Sequence, residues 1–158
     1  MADQRLRDRH WLWAAIELSR RCPPSDTAYS VGAIIVDRHG RERTRGYSRD
    51  EAPLLHAEES ALAKLAGSDT DLSGATMYTS MEPCTTRRSG PRTCADLIIA
   101  AGLARVVIAL REPPVFVHCV GVEALRNAGV EVLTIPEFGA EVVTVNAAVL
   151  GAPGLPPN

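Results

Sequence analysis

The chain has 158 residues, 46% of them hydrophobic and 23% charged, which suits one domain with one core. A formal net charge of −2, with two Trp, three Tyr and two Phe, weighs against broad capture of nucleic acid, which needs clustered positive charge and stacking rings. No stretch approaches the roughly 20 apolar residues that span a bilayer, and the polar first ten residues lack an apolar signal core, so a soluble, cytoplasmic protein is expected.

Residues 6–22 read as a first helix, with Trp11, Ala14, Ala15, Leu18 and Cys22 at helical spacing and Pro23-Pro24 ending it. Residues 31–36 form a strand, Asp37-Arg38-His39-Gly40 a turn, and residues 42–48 a polar second strand suited to a sheet edge. A second helix covers 56–66, stopped by Gly67, and a third strand covers 75–80. Thr93 is placed to cap a helix over 94–101, which Gly102 ends. The run RVVIAL at 105–110 is nearly all apolar, as in a strand buried on both faces. A helix over 122–127, a strand over 130–135 and a last helix from about 137 to 150 follow, and the Gly/Pro-rich residues 151–158 read as a flexible tail. Alternating strands and helices require crossovers and parallel neighbours. The expectation is one α/β domain over 1–150, helices on both faces of its sheet.

Four cysteines, Cys22, Cys84, Cys94 and Cys119, are present. In a reducing compartment, cysteines at motif spacing read first as metal ligands. The informative segments are Leu55-His56-Ala57-Glu58 and Met81-Glu82-Pro83-Cys84, followed by Cys94. Imidazole and thiolates suit zinc, and a catalytic zinc keeps three protein ligands with one position open to water. His56, Cys84 and Cys94 supply three such ligands. A bound zinc ion brings the pKa of that water to about 7. Glu58, two residues from His56, is the candidate acid–base group. Residues i and i+2 diverge by about 200° inside a helix, so His56 and Glu58 converge only at a helix start. A structural zinc is the competing explanation, but such sites usually complete four protein ligands. Cys22 and Cys119 read as core thiols, and His10, His39 and His118 as surface or packing residues.

On these residues the sequence resembles the cytidine deaminase-like zinc deaminases, whose signature is H-x-E with P-C-x-x-C. Nine residues separate Cys84 from Cys94 where the signature has two. That longer loop, and the run MEPCTTRRSGPRTCADLIIAAGLARVVIAL, resemble the deaminase domain of the bifunctional riboflavin-biosynthesis deaminase–reductases. The resemblance covers residues 9–150, with no counterpart of the reductase half. It implies a three-layer α/β/α sandwich with a five-stranded mixed sheet, one Zn2+ per chain, and a homo-oligomer, a dimer.

The pocket positions depart from that family. Ala28-Tyr29-Ser30 stand where it carries Asn-Pro before the first strand, Ser48 and Thr86 replace two histidines, and Pro114 replaces the Asn of D-P-N. Glu112 keeps the acidic position after the fourth strand. Candidate substrate contacts are therefore Ser30, Tyr47, Ser48, Glu112 and the backbone near Ser80, with Arg87 and Arg88 (and Arg92) of the inter-cysteine loop for a phosphate. These replacements point to a ring other than the riboflavin intermediate, because a site that loses hydrogen-bonding groups discriminates strongly. The expected activity is hydrolytic removal of an amino group from an amino-substituted pyrimidine or related heterocycle, as base, nucleoside or nucleotide. Deamination of the riboflavin intermediate, or of tRNA or single-stranded DNA, is the alternative. An inactive zinc-stabilised binding module would have no need of Glu58.

Overall fold

A computed structural model describes residues 1–86, 90–116 and 118–151. Helix α1 (Ala2–Ser19) leads to strand β1 (Gly32–Val36), β2 (Glu42–Tyr47), helix α2 (Ala57–Ala63), β3 (Thr76–Met81), α3 (Cys94–Ala100), β4 (Arg105–Leu110), α4 (Gly121–Asn127) and β5 (Glu131–Thr134). A 3-10 turn at Pro136–Phe138 precedes α5 (Gly139–Val145) and α6 (Ala147–Leu150).

The strands form one mixed sheet in the order β2-β1-β3-β4-β5. β1 pairs antiparallel with both β2 and β3, whereas β3–β4 and β4–β5 are parallel, joined by crossovers through α3 and α4. β1 is fully buried and β4 is buried along its centre, as their unbroken apolar runs require. β2 alternates between buried and exposed positions, as an edge strand with one covered face should.

Helix α1 crosses β1 so closely at Gly32 that an added Cβ would lie 2.0 Å from the Ala15 carbonyl oxygen. Only glycine fits there. On the sheet's other face, the Thr44 hydroxyl on β2 donates to the Ala61 carbonyl of α2 at 2.9 Å. The core fills both layers, with Leu12, Ile16, Ile34, Ile35, Met77, Ile98, Ile108 and Leu125 almost fully buried.

Two elements differ from the sequence expectation. α1 begins at Ala2 rather than residue 6, because its polar first turns are held by local pairs such as Gln4–Asp8 at 2.9 Å, which apolar periodicity does not reveal. The single helix expected from 137 to 150 is instead a 3-10 turn and two helices broken at Asn146. Its amide accepts the Ser30 N–H at 2.7 Å and donates to the Ser30 and Val142 carbonyls at 3.1 and 2.9 Å. Asn146 thereby ties the chain's last helices to the lead-in of β1. The tail from 152 on lies outside the described residues.

Candidate active site

The site forms at the carboxyl ends of β3 and β4, where crossover connections leave room above the sheet. His56 is the N-cap of α2, in extended conformation (φ −82°, ψ 156°), with Glu58 inside the first turn. The ring and carboxylate converge because one residue precedes the helix and the other has entered it. Cys84 follows β3, and Cys94 opens α3 behind Thr93, whose hydroxyl accepts the Asp96 N–H at 3.2 Å. The Ala95 N–H donates to the Cys84 carbonyl at 3.1 Å and the Cys94 N–H to Cys84 Sγ at 3.4 Å, so the start of α3 holds the Cys84 segment.

His56 Nδ1 lies 3.5 Å from Cys84 Sγ and 3.4 Å from Cys94 Sγ. The ligand atoms of the three residues all lie within 4.8 Å of one another, the one such group among the described residues. Spacings near 3.5 Å between one imidazole nitrogen and two sulfurs match edges of a coordination tetrahedron with bonds of about 2.0–2.3 Å. The donor set fits zinc. The Cys94 thiol, His56 and the Cys94 N–H draw Cys84 well below the usual thiol range, whereas Cys94, sharing that proton and more deeply buried, is raised.

Glu58 is 4% exposed and accepts the Thr79 hydroxyl at 2.8 Å. Burial, then the neighbouring Cys84, raises its pKa above the ordinary carboxylate range. Glu82, also buried, has a different task. Its carboxylate accepts the Val122 N–H at 2.9 Å and the Glu112 N–H at 3.0 Å, with Arg111 alongside at 3.3 Å. Glu82 therefore links the Cys84 segment to α4 and to the segment after β4. Gly121 makes that junction possible, since a Cβ there would lie 2.0 Å from the Pro83 carbonyl oxygen.

A cleft of about 400 Å³ opens beside Glu58, His56 and Cys84. Its other walls include Tyr29, Ser48, Arg49, Leu54, Met81, Thr86, Glu112 and Phe116. Of the substrate contacts expected from sequence, Ser48 and Glu112 line this cleft and Tyr47, Ser30 and Ser80 do not. Ser48 Oγ accepts the Val31 N–H at 3.0 Å, and Ser80 Oγ accepts the Gly32 N–H at 3.2 Å. Ser30 Oγ accepts from Arg49, and the Tyr47 ring lies under the Arg21 guanidinium. Arg87 and Arg88 fall outside the described residues. Glu112 Oε2 is buried without a hydrogen-bond partner, and burial pushes the carboxyl up to about 7. Cys119 is buried and donates to the Pro83 carbonyl at 3.3 Å, and half-buried Cys22 donates to Val31 at 3.4 Å.

Sequence reasoning overlooked Thr79, Arg49, Phe116 and the bond from Tyr29 OH to the Pro113 carbonyl at 2.9 Å. Alternation along β3 offered one usable signal, a hydroxyl on the strand that leads to Cys84.

Fold and site together define an α/β domain with a His-Cys-Cys cluster suited to a metal at the head of a cleft. The chain belongs to the cytidine and deoxycytidylate deaminase zinc-binding family, whose model matches residues 6–110. A diaminohydroxyphosphoribosylamino-pyrimidine deaminase of Schizosaccharomyces pombe is 40% identical over 125 residues, covering 78% of this chain and 31% of that protein. A riboflavin biosynthesis protein of Aquifex aeolicus is 38% identical over 79% of this chain and 34% of its own length. This chain thus spans about a third of the curated relatives it matches. Among solved structures, a Thermotoga maritima diaminohydroxyphosphoribosylaminopyrimidine deaminase/reductase superposes with a TM-score of 0.78 at 33% identity, covering 88% of this chain and 39% of that one. An Aspergillus oryzae Rib2 deaminase gives 0.79 at 25% identity, covering 91% and 93%.

Proposed function

We propose that this chain is a zinc-dependent hydrolytic deaminase of an amino-substituted pyrimidine, with the compound named for its Schizosaccharomyces pombe relative as the first candidate substrate. The observation that carries the reading is Glu58, a buried carboxylate beside three converged ligands at the head of an open cleft. A structural metal would need no such carboxylate.

Zinc held by His56, Cys84 and Cys94 would supply Lewis acidity, lowering the pKa of water at its open position to about 7. Glu58 takes one proton from the attacking water and passes it to the ring nitrogen, then takes the second from the newly formed hydroxyl and delivers it to the amine, so that a carbonyl forms as ammonia leaves. Burial raises its pKa, which favours a carboxyl that can hold and return a proton as well as accept one. Thr79 fixes the carboxylate from the sheet side. Glu112, with an unpartnered buried oxygen on the cleft, is the candidate partner for a ring N–H or amino group.

The replaced pocket residues suggested a different ring. The relatives' names weigh toward the riboflavin-type compound, and the structure offers a reason. Ser30 and Ser48 brace the start of β1, so in this chain those places carry structural bonds, and polar contact with a ligand falls to Arg49, Thr86 and Glu112. A cleft of about 400 Å³ suits a small molecule. No described helix is long and apolar enough to cross a membrane. A cytoplasmic enzyme, dimeric in solution and with one zinc per chain, completes the reading; light scattering tests the dimer. Ammonia release from the diaminopyrimidine phosphate beside cytidine, deoxycytidylate and guanine tests the function. Turnover of none by folded, zinc-loaded protein overturns it.

A further inference from the structure

Arg49 is the one described non-glycine residue with a positive φ, +61°, a backbone conformation unfavourable to any residue with a Cβ. Its N–H donates to the Leu55 carbonyl at 2.8 Å, closing the loop that delivers His56. The residue is half-buried and lines the cleft. Nε and Nη2 donate to the Pro23 carbonyl at 3.2 and 2.7 Å, Nη1 to the Tyr29 carbonyl at 3.0 Å, and Nη2 to Ser30 Oγ at 2.8 Å. Every acceptor is a neutral oxygen, and no carboxylate of a described residue pairs with this guanidinium. These four bonds leave one of the five guanidinium N–H groups unused.

The other ionisable groups on the cleft wall are of three kinds. His56 and Cys84 belong to the metal cluster, Glu58, Glu82 and Glu112 are carboxyls, and Tyr29 is a phenol that carries no positive charge. Arg49 is therefore the sole guanidinium or ammonium among the described lining residues. A cation held rigid by neutral oxygens, half out of water and with no carboxylate partner among the described residues, is arranged to receive an anion. We infer that Arg49 anchors a phosphate group of the substrate, on the loop side of the cleft, and so sets a preference for phosphorylated over unphosphorylated pyrimidines. The inference rests on the deaminase reading. Thr27 and Thr86 line the same cleft and offer hydroxyl donors to the same group.

Two measurements test it. The first compares kcat/KM for the diaminopyrimidine phosphate with that for the same compound after phosphatase treatment. The native protein should prefer the phosphorylated form by roughly 10- to 100-fold, the range expected for a charge-assisted bond. Arg49→Gln should bring that ratio to within about threefold of one, chiefly through KM, and Arg49→Lys should restore part of it. An unchanged ratio in Arg49→Gln overturns the anchor, even if both rates fall because the loop from Pro23 to Ser30 has loosened. The second uses ribose 5-phosphate alone, titrated calorimetrically into zinc-loaded protein. Binding should weaken at least tenfold in Arg49→Gln, and equal binding, or none to the native protein, overturns the inference. Because this titration needs no turnover, failure of the deaminase reading and failure of the anchor give different results.

Discussion

Thr79 Oγ donates to Glu58 Oε1 at 2.8 Å, joining a residue in the middle of the sheet to the carboxylate at the start of α2. Thr79 is fully buried and Glu58 nearly so. The bond fixes one carboxylate oxygen and leaves the other for the cleft. Glu58→Gln keeps the shape and removes the proton acceptor, so turnover should fall by about 10²–10⁴ with zinc content and melting temperature nearly unchanged. A variant retaining half of native turnover would show that Glu58 has another role. Thr79→Val removes a hydrogen bond to the Glu58 carboxylate, worth about 1.5–3 kcal/mol, and should lower kcat roughly 10- to 100-fold with little change in KM.

Metal analysis of protein purified without added zinc should give close to one zinc per chain. His56→Ala, Cys84→Ser and Cys94→Ser should each lose most of it, because the site closes around only three protein ligands. Stripping zinc with a chelator should also lower the melting temperature of the native protein, since a ligand bound only by the folded state stabilises it. A folded, active sample with no metal would end the zinc argument.

The strands were legible because each carries its signal locally. The run at 105–110 is apolar throughout and became β4 with the expected bounds, buried between two parallel neighbours. The grouping of His56, Cys84 and Cys94 was legible for a related reason: they sit beside turn and cap residues that mark where elements begin. Asn146 and Arg49 were not legible. Asn146 reads as an ordinary helical position until Ser30, 116 positions away in the chain, is placed beside its amide. Arg49 is one arginine among many, and its isolation from carboxylates exists only once the loop from Pro23 to Ser30 has folded over it.

Asp8 is a structural counterpart far from the chemistry. It is 1% exposed on α1, and its carboxylate accepts Arg105 from β4 at 2.6 and 2.8 Å and the Tyr78 hydroxyl from β3 at 2.9 Å. Burial raises its pKa, but the bonds from Arg105, Gln4 and Tyr78 outweigh that and leave it below the ordinary value. Asp8→Asn should cost about 3 kcal/mol, because it removes the buried counter-charge of Arg105 and leaves that guanidinium only the exposed Glu131. The matching fall in melting temperature is about 6–12 °C for a chain of this size. The folded pKa is depressed, so this stabilisation is present above the unfolded carboxylate pKa and is lost as pH falls through the folded one. The native protein should therefore lose its advantage over Asp8→Asn in acid.

Glu112 reverses that sign. Burial is the largest influence on its carboxyl, a bond with Cys119 opposes it, and the charges of Cys84, Glu58 and Glu82 add to it, for a pKa of about 7 against an ordinary value of 4.5. Between those two values the folded chain holds a proton at Glu112 that the unfolded chain has released. Stability from this group is therefore complete below about pH 4.5 and declines as pH rises through about 7, the opposite of Asp8. Glu112→Gln carries a neutral amide at every pH and lacks this dependence. Thermal unfolding of both zinc-saturated proteins should show native Tm minus variant Tm falling from pH 5 to pH 7.5 and flattening above, once the pH has passed the folded pKa of about 7. Zinc affinity also varies with pH, but it enters both curves and drops out of the difference. A flat difference would show that the buried oxygen is solvated after all. The same titration should govern binding, because a protonated Glu112 donates a hydrogen bond whereas the carboxylate accepts from a ring N–H or amino group. Substrate KM should accordingly improve as pH rises from 6 to 8, and Glu112→Gln, which cannot change its charge, should show no such improvement.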